Sequence, residues 1–118
     1  MKLAVGIGLN SKAEMEEILA LVATCLAAVE GEIAVVTSSV RKAESAELAA
    51  VAQELGAPLR LLADDELAAV PLASPSGFVA DTIGLAGIAE AAAGYFGPML
   101  VRKRKSANAT CAIAEMAS

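Results

Sequence analysis

Apolar and polar positions in the first half of the chain follow two different periods, and each period predicts a different kind of element. Short apolar runs at 3–8, 33–37 and 59–62 are typical of buried strands. Between these runs, apolar side chains recur every three or four residues over 18–29 and 48–55, as on one face of a helix. The order strand, helix, strand, helix, strand predicts βαβ units and a largely parallel sheet.

The predicted helices are bounded by residues that commonly start or stop helices. Ser11 stands three residues before Glu14, which is the spacing of a capping box and predicts the start of the first helix. The pair Glu30-Gly31 is expected to end that helix. The second helix is expected over 43–55, because Gly56 with a following proline is a common stop signal.

The second half of the chain predicts shorter helices and a closing hairpin. The expected helical segments are 64–70, 76–83 and 88–95. Strands at 99–101 and 108–114, joined by residues 102–108, predict an antiparallel hairpin. We therefore expect one α/β domain over residues 1–118. It would have three layers, with helices on both faces of a mixed, mostly parallel sheet of about five strands that ends in a C-terminal hairpin.

Charge is distributed unevenly along the chain. Residues 1–100 carry 13 acidic and 5 basic side chains, whereas Arg102 to Lys105 are four consecutive cations. A local basic segment on an acidic body indicates an anion site, because a nucleic-acid surface needs a broad basic face. The chain also has only three aromatic residues, which are too few for a platform that stacks bases. We therefore expect no nucleic-acid partner.

Several common classes of protein and of site are disfavoured. The longest apolar run, 18–29, has 12 residues and is too short to cross a bilayer, and no signal peptide precedes the first strand. We expect a cytoplasmic domain with no membrane partner, in which Cys25 and Cys111 are buried free thiols. The absence of histidine removes the commonest general base and metal ligand. We therefore expect no metal and no cofactor, and we assign no catalytic residue.

The turn after the first strand is the first candidate for anion binding. Gly6 and Gly8 are followed by a polar turn that leads into the helix start at Ser11. Backbone N–H groups in such a turn, at the carboxyl end of a parallel strand, are well placed to bind an anion. The alternative is that the glycines only allow the chain to turn tightly.

The basic segment near the C-terminus is the second candidate. Lys103 and Lys105 would supply positive charge, and Ser106, Asn108 and Thr110 would supply hydrogen bonds from one face of a strand. The alternative is a solvated turn. Glu90, which stands among alanines, is either a solvated helix position or a partner for one of the two lysines.

Two blocks of the sequence carry a family resemblance. They are Ile88-Ala89-Glu90-Ala91-Ala92 and Lys103-x-Lys105-Ser106-x-Asn108-Ala109-Thr110-x-Ala112-Ile113-Ala114. Shorter matches precede them in order, beginning at Gly6-Ile7-Gly8, so that the resemblance covers essentially the whole chain. The sequence resembles the CobE / CbiG C-terminal family of cobalamin biosynthesis, and its length favours the separate, CobE-like form.

This resemblance implies a part in building the corrin ring. The first hypothesis is a module that binds a carboxylate-rich corrinoid or precorrin intermediate and presents it to other enzymes of the pathway. The expected ligand-binding residues are Gly8, Ser11, Glu90, Lys103, Lys105, Ser106, Asn108 and Thr110. One alternative is a precorrin lactone-opening hydrolase of the cobalt-precorrin-5A type, which would need Glu90, a lysine or a bound metal as its base. The other is a non-catalytic subunit that binds another protein of the pathway.

Overall fold

Five strands form a single sheet in the computed structural model, which describes residues 1–70 and 85–116 apart from the side chains of residues 85 and 86. The strands are β1 (Lys2–Leu9), β2 (Glu32–Ser39), β3 (Leu59–Leu62), β4 (Met99–Lys105) and β5 (Ala109–Glu115). Their spatial order is β3-β2-β1-β5-β4. The pairs β1–β2 and β2–β3 are parallel, whereas β5 runs antiparallel to both of its neighbours. The expected mixed α/β sheet with a C-terminal hairpin is therefore confirmed.

Helices cover both faces of this sheet. They are α1 (Met15–Leu26), α2 (Ala46–Leu55), α3 (Asp64–Ala68) and α4 (Leu85–Gly94), with a short 3-10 helix at Val40–Lys42. Side chains of a strand point alternately to its two faces, so odd-numbered and even-numbered positions of β1 meet different helices. Val5 and Ile7 join the core beneath α1 and α2, whereas Gly6 faces α4. The result is the expected three-layer arrangement.

The start of α1 differs from the prediction. The helix begins at Met15, its cap residue Glu14 makes no side-chain cap hydrogen bond, and Ser11 is exposed in the preceding turn. Asn10 organises that turn instead, because its Oδ1 accepts a hydrogen bond from the backbone N of Lys12 at 2.8 Å. The expected capping box at Ser11 is therefore wrong. The helix also ends at Leu26, before the expected Glu30-Gly31 stop.

The second helix ends at the predicted residue but begins later than predicted. Ser45 caps α2, since its Oγ accepts a hydrogen bond from the backbone N of Leu48 at 3.2 Å. Gly56 ends the helix in the left-handed conformation, with φ of 70°, which glycine adopts at little cost. The helix expected over 76–83 lies outside the described residues.

The hairpin contains longer strands and a shorter turn than expected. β4 continues to Lys105, which pairs with Thr110, so residues 102–105 belong to an edge strand and only residues 106–108 form the turn. The register shifts twice along β4, because it places an extra residue between Met99 and Val101 and another between Val101 and Arg104. Each shift is a β-bulge, and bulges together with exposed cations are common on edge strands.

The two cysteines lie in the core between α1 and β5. Both are free thiols with no exposed surface, as expected. Cys25 Sγ donates a hydrogen bond to the carbonyl oxygen of Cys111 at 3.8 Å. Hydrogen bonding with Cys25, together with burial, raises the pKa of the Cys111 thiol far above its usual range. In the part of the chain that the structure describes, no helix has the length and apolar character needed to span a bilayer.

Candidate functional site

The turn after β1 and the hairpin turn lie side by side. Strand β1 pairs with β5 from Leu3 to Leu9, and this pairing places Gly8 opposite Thr110. Beyond the strand ends, the backbone N of Asn10 donates to the carbonyl oxygen of Asn108 at 3.0 Å. The side-chain Nδ2 of Asn10 also donates to Asn108 Oδ1 at 3.2 Å. The two candidate segments therefore lie next to each other.

A carboxylate of α1 holds the hairpin turn. Glu17 Oε2 accepts hydrogen bonds from Ser106 Oγ and, at 2.7 Å, from the backbone N of Asn108. Glu17 Oε1 accepts a further bond from Asn108 Nδ2 at 3.1 Å. Hydrogen bonds lower the pKa of Glu17 below its usual value, and the bond from Ser106 contributes more than either of those from Asn108. The side chains of Ser106 and Asn108 are therefore engaged within the protein.

Glu17 was not among the site residues predicted from the sequence. A usable signal was its spacing, because Glu17 stands four residues before Leu21 and so lies on the same side of α1 as that core residue. An acidic side chain at the margin of an apolar stripe faces the sheet that the stripe covers. Only the fold shows that the adjacent sheet ends in the hairpin turn.

Ser106, Asn108 and Thr110 do not share one face of a strand, contrary to expectation. The first two lie in the turn, because β5 begins only at Ala109. Thr110 lies within β5 and is 2% exposed. By strand alternation it points to the same face as Ala112 and Ala114, which pack against α4. Thr110 is thus buried between the sheet and its helical cover.

Glu90 on α4 contacts Lys103, one of its two expected partners. Glu90 Oε2 accepts a hydrogen bond from the backbone N of Lys103 at 3.4 Å, and Glu90 Oε1 lies 4.0 Å from Lys103 Nζ. Lys103 belongs to the second bulge of β4, between Val101 and Arg104. A bulge commonly changes the direction of a side chain. Here the Glu90 carboxylate contacts both the backbone N and the ammonium group of Lys103. The Glu90 side chain is 18% exposed and that of Lys103 is 47% exposed.

The cations of β4 are divided between the two faces of the sheet. Lys103 lies on the α4 side with Glu90. Arg104 and Lys105 line a shallow hollow of about 410 Å³ beside α1, together with Glu17 and Ser106. All four cations of the strand are exposed. The edge of the sheet can therefore offer positive charge to an anion from either side.

A second hollow lies at the carboxyl ends of β1 and β2. It has a volume of about 280 Å³, and it is lined by Ser11 and by two cations that were not predicted as site residues, Arg41 and Lys42. Arg41 Nη2 lies 2.7 Å from Asp64 Oδ2, and hydrogen bonding from this guanidinium lowers the pKa of Asp64. Glu44 and Glu47 also line the hollow, so acidic and basic groups balance there. This balance makes the hollow a weaker anion site than β4.

Candidate ligands for a metal ion do not gather in the described ranges, where no group of three or more cysteine, aspartate or glutamate side chains could hold one. The chemistry available at the hairpin is therefore that of ammonium, guanidinium and carboxylate groups. These groups can neutralise and orient an anion.

Comparison with solved structures finds the same fold in proteins of cobalamin biosynthesis. CobE, described as a protein from the cobalamin (vitamin B12) biosynthetic pathway, superposes with a TM-score of 0.78 at 25% identity, over 98% of this chain and 90% of that chain. The cobalamin biosynthesis protein chiG from Agrobacterium tumefaciens str. C58 gives a TM-score of 0.68 at 25% identity, over 98% and 99% of the two chains. A cobalamin biosynthesis protein G homolog from Sulfolobus solfataricus gives 0.72 at 25% identity, over 99% of this chain and 37% of that chain.

Comparison at the level of sequence agrees with the structural matches. No curated protein sequence matches the chain. The family model described as cobalamin synthesis G C-terminus, CbiG_C, matches residues 3–114, which include all but the first residue of β1 and the last residue of β5 among the five strands. Because this match extends over nearly the whole domain, the chain belongs to the CbiG C-terminal family.

Proposed function

We propose that this domain binds a carboxylate-rich corrinoid or precorrin intermediate of cobalamin biosynthesis through the basic edge strand β4. The observation that carries the proposal is the run of four exposed cations, Arg102 to Lys105, on a chain whose net charge is −5. Exposed cations add little to folding stability, about 0–1 kcal/mol for each ion pair that they form at the surface. Their concentration on one strand of an acidic protein is better explained by an anionic ligand.

The arrangement of these cations suits a ring that carries several carboxylates. Lys103 lies on the α4 side, and Arg104 and Lys105 border the hollow on the α1 side, so the cations can reach carboxylates on both sides of the sheet edge. Glu90 lies 4.0 Å from Lys103 Nζ and limits where that ammonium group can go. A group that is already positioned loses less entropy when it binds, and this strengthens binding.

The remaining site residues divide into contact and positioning roles. Lys105 contributes charge next to the hairpin turn, and Ser11 offers an exposed hydroxyl at the neighbouring turn. Ser106 and Asn108 hold the hairpin turn through Glu17. Gly8 and Thr110 pair the end of β1 with the start of β5, and thus hold the two turns next to each other.

Binding is a better account than hydrolysis of the way Glu90 is used. Its two carboxylate oxygens are both directed at Lys103, one at the backbone N and one near Nζ. A general base must reach a proton of the substrate or of a water molecule, and an engaged carboxylate is poorly placed to do so. We therefore assign Glu90 to positioning, and the lactone-opening hydrolase remains the second candidate.

The proposal extends to location and partners. Two buried free thiols, Cys25 and Cys111, suit a reducing compartment, and we place the protein in the cytoplasm. A module that binds an intermediate must also release it to the enzyme that acts on it next. Other enzymes of the cobalamin pathway are therefore its expected partners.

The test is a titration with cobyrinic acid, a corrin that carries free carboxylates, followed by the visible absorption of the ring. Lys103→Ala/Lys105→Ala should weaken binding about tenfold or more at low salt, since a charge-assisted contact contributes roughly 1.5–3 kcal/mol. It should also reduce the salt dependence of the affinity. Lys2→Ala/Arg60→Ala is the matched control, because it removes the same charge elsewhere and should leave the affinity nearly unchanged.

Two outcomes would contradict the proposal, and a third would favour the second candidate. Equal affinity of the parent and the Lys103→Ala/Lys105→Ala variant at low salt would show that β4 is only a solvated strand. Tight binding of cobalamin, whose corresponding side chains are amides, would show that carboxylates are not what the site recognises. Opening of a precorrin lactone by the parent but not by Glu90→Gln, with equal binding of both proteins, would favour the hydrolase.

A further inference from the structure

The hollow between α1 and β4 lies on the face of the sheet opposite to α4 and has walls of two different kinds. Ala20, Leu21 and Thr24 form the wall on α1, and Arg104 and Lys105 form the wall on β4. Its volume is about 410 Å³. Small-molecule sites commonly have volumes of roughly 300–1,000 Å³, so the hollow is large enough to take part of an organic ligand.

The wall on α1 is largely apolar. Leu21 belongs to the core and Ala20 is exposed beside it. The hydroxyl of Thr24 donates to the carbonyl oxygen of Ala20 at 3.0 Å and is therefore satisfied by its own helix. This part of α1 offers an incoming group hydrocarbon surface and few polar atoms.

The wall on β4 is cationic but also has an apolar component. Arg104 and Lys105 carry long hydrocarbon stems that end in charged groups. Glu17, at one end of the hollow, is the acidic residue that lines it, and its carboxylate is bound by Ser106 and Asn108. The two cations are thus offset by a single carboxylate that faces the hairpin turn, and the hollow retains a positive bias.

We infer that this hollow is the binding site for the ligand at the hairpin. It accommodates the edge of an amphiphilic ring that carries several carboxylates. The apolar edge of the macrocycle would lie against Ala20 and Leu21, and carboxylate side chains would meet Arg104 and Lys105. A strip of hydrocarbon beside two cations is complementary to a flat apolar body with anionic arms. The inference rests on the proposed function and adds which face of β4 holds the ring.

Arg104, which the sequence analysis did not select, is the binding residue that this inference adds. Arg102 is exposed on the same strand, two positions away, and does not line the hollow. The two arginines therefore have the same charge, the same strand and similar exposure, and differ in their access to the apolar wall. This difference makes Arg102 a matched control.

The experiment titrates the protein with uroporphyrin, an apolar macrocycle with carboxylate arms, and follows its fluorescence. Arg104→Ala should weaken binding about tenfold, the effect of losing one charge-assisted contact, whereas Arg102→Ala should change it by about twofold or less. Ala20→Phe fills the hollow without changing any charge and should weaken binding by about tenfold or more. Ala23→Phe places the same ring on an exposed position of α1 that does not line the hollow, and binding should remain unchanged.

The outcomes separate this inference from the proposed function. If Lys103→Ala weakens binding but Arg104→Ala and Ala20→Phe do not, the ligand lies on the α4 side, and only the inference fails. If none of these variants weakens binding, the proposed function and the inference about the hollow are both wrong. If Ala20→Phe instead converts a dimer to a monomer in sedimentation, a second copy of the chain occupies the hollow, and the inference is wrong.

Discussion

Substitution of Gly6 by alanine tests how closely β1 and α4 approach each other. A Cβ atom on Gly6 would lie 2.8 Å from the backbone N of Ala93 and 3.0 Å from Ala93 Cβ, and closer still to the carbonyl oxygen of Ala89. Favourable contacts between carbon atoms lie at about 3.5–4.0 Å. The helix would therefore have to move by roughly 1 Å to admit one methyl group.

The expected effect on stability follows from which atoms must move. Inserting a methyl group into a packed core costs about 1–3 kcal/mol, and the lower values arise where flexible side chains can yield. At Gly6 two of the three nearest atoms belong to the backbone of α4, so we expect a loss near 3 kcal/mol in the free energy of unfolding. Because Glu90 follows Ala89 directly, the same movement should draw its carboxylate away from Lys103 and weaken ligand binding.

Urea denaturation followed by circular dichroism measures this loss, with Gly94→Ala as the control in the same helix. A Cβ on Gly94 would meet the Val70 side chain at 3.1 Å, and the helix gains up to about 1 kcal/mol from alanine in place of glycine. These effects oppose each other, so the free energy of unfolding should stay within about 0.5 kcal/mol of the parent. A Gly6→Ala variant as stable as the parent would refute the close approach of β1 and α4.

Two further predictions concern the hydrogen bonds that cap α2 and hold the hairpin turn. Ser45→Ala removes the cap on the backbone N of Leu48 and should lower the free energy of unfolding by about 1 kcal/mol, as measured by the same denaturation; an unchanged midpoint would contradict the cap. Glu17→Gln should make stability less sensitive to acid. Because the folded-state pKa of Glu17 is lowered, its stabilisation is present above the unfolded pKa and lost as pH falls through the folded pKa. The two denaturation midpoints should therefore converge in acid, and a constant difference across the pH range would exclude the carboxylate as the cause.

The alternation of strand and helix periods was sufficient to predict most of the sheet. β3 occupies the expected residues, and α2 ends where Gly56 predicts. The start of α1 was not predictable in the same way, because the helix begins only at Met15, after a turn that Asn10 organises. Asn10 is itself held by Asn108, from 98 positions away in the sequence. A local pattern contains no information about that contact.

The position of the basic segment was mispredicted for a related reason. The outer half of this edge strand is exposed on both faces, so its side chains need not alternate between apolar and polar types. From the sequence alone, residues 102–105 are therefore indistinguishable from a turn. Their pairing with β5 shows that they are a strand. Lys103 and Lys105 were correctly assigned to a basic hairpin, and Ser106 and Asn108 support its turn by donating hydrogen bonds to Glu17. The ligand contacts expected of Ser106 and Asn108 stay a prediction.

Two acidic residues together explain how an edge strand can hold four adjacent cations in place. Glu17 binds the hairpin turn from the α1 side, and Glu90 binds the bulge at Lys103 from the α4 side. Each acid fixes backbone as well as side chain, so the hairpin is held from both faces by groups of opposite charge. Lys103 lies on the α4 side, whereas Arg104 and Lys105 border the hollow on the α1 side, and this division between two sides reduces the repulsion between like charges. An edge held in this way still has Arg104 and Lys105 exposed, as the proposed binding of an anionic ligand requires.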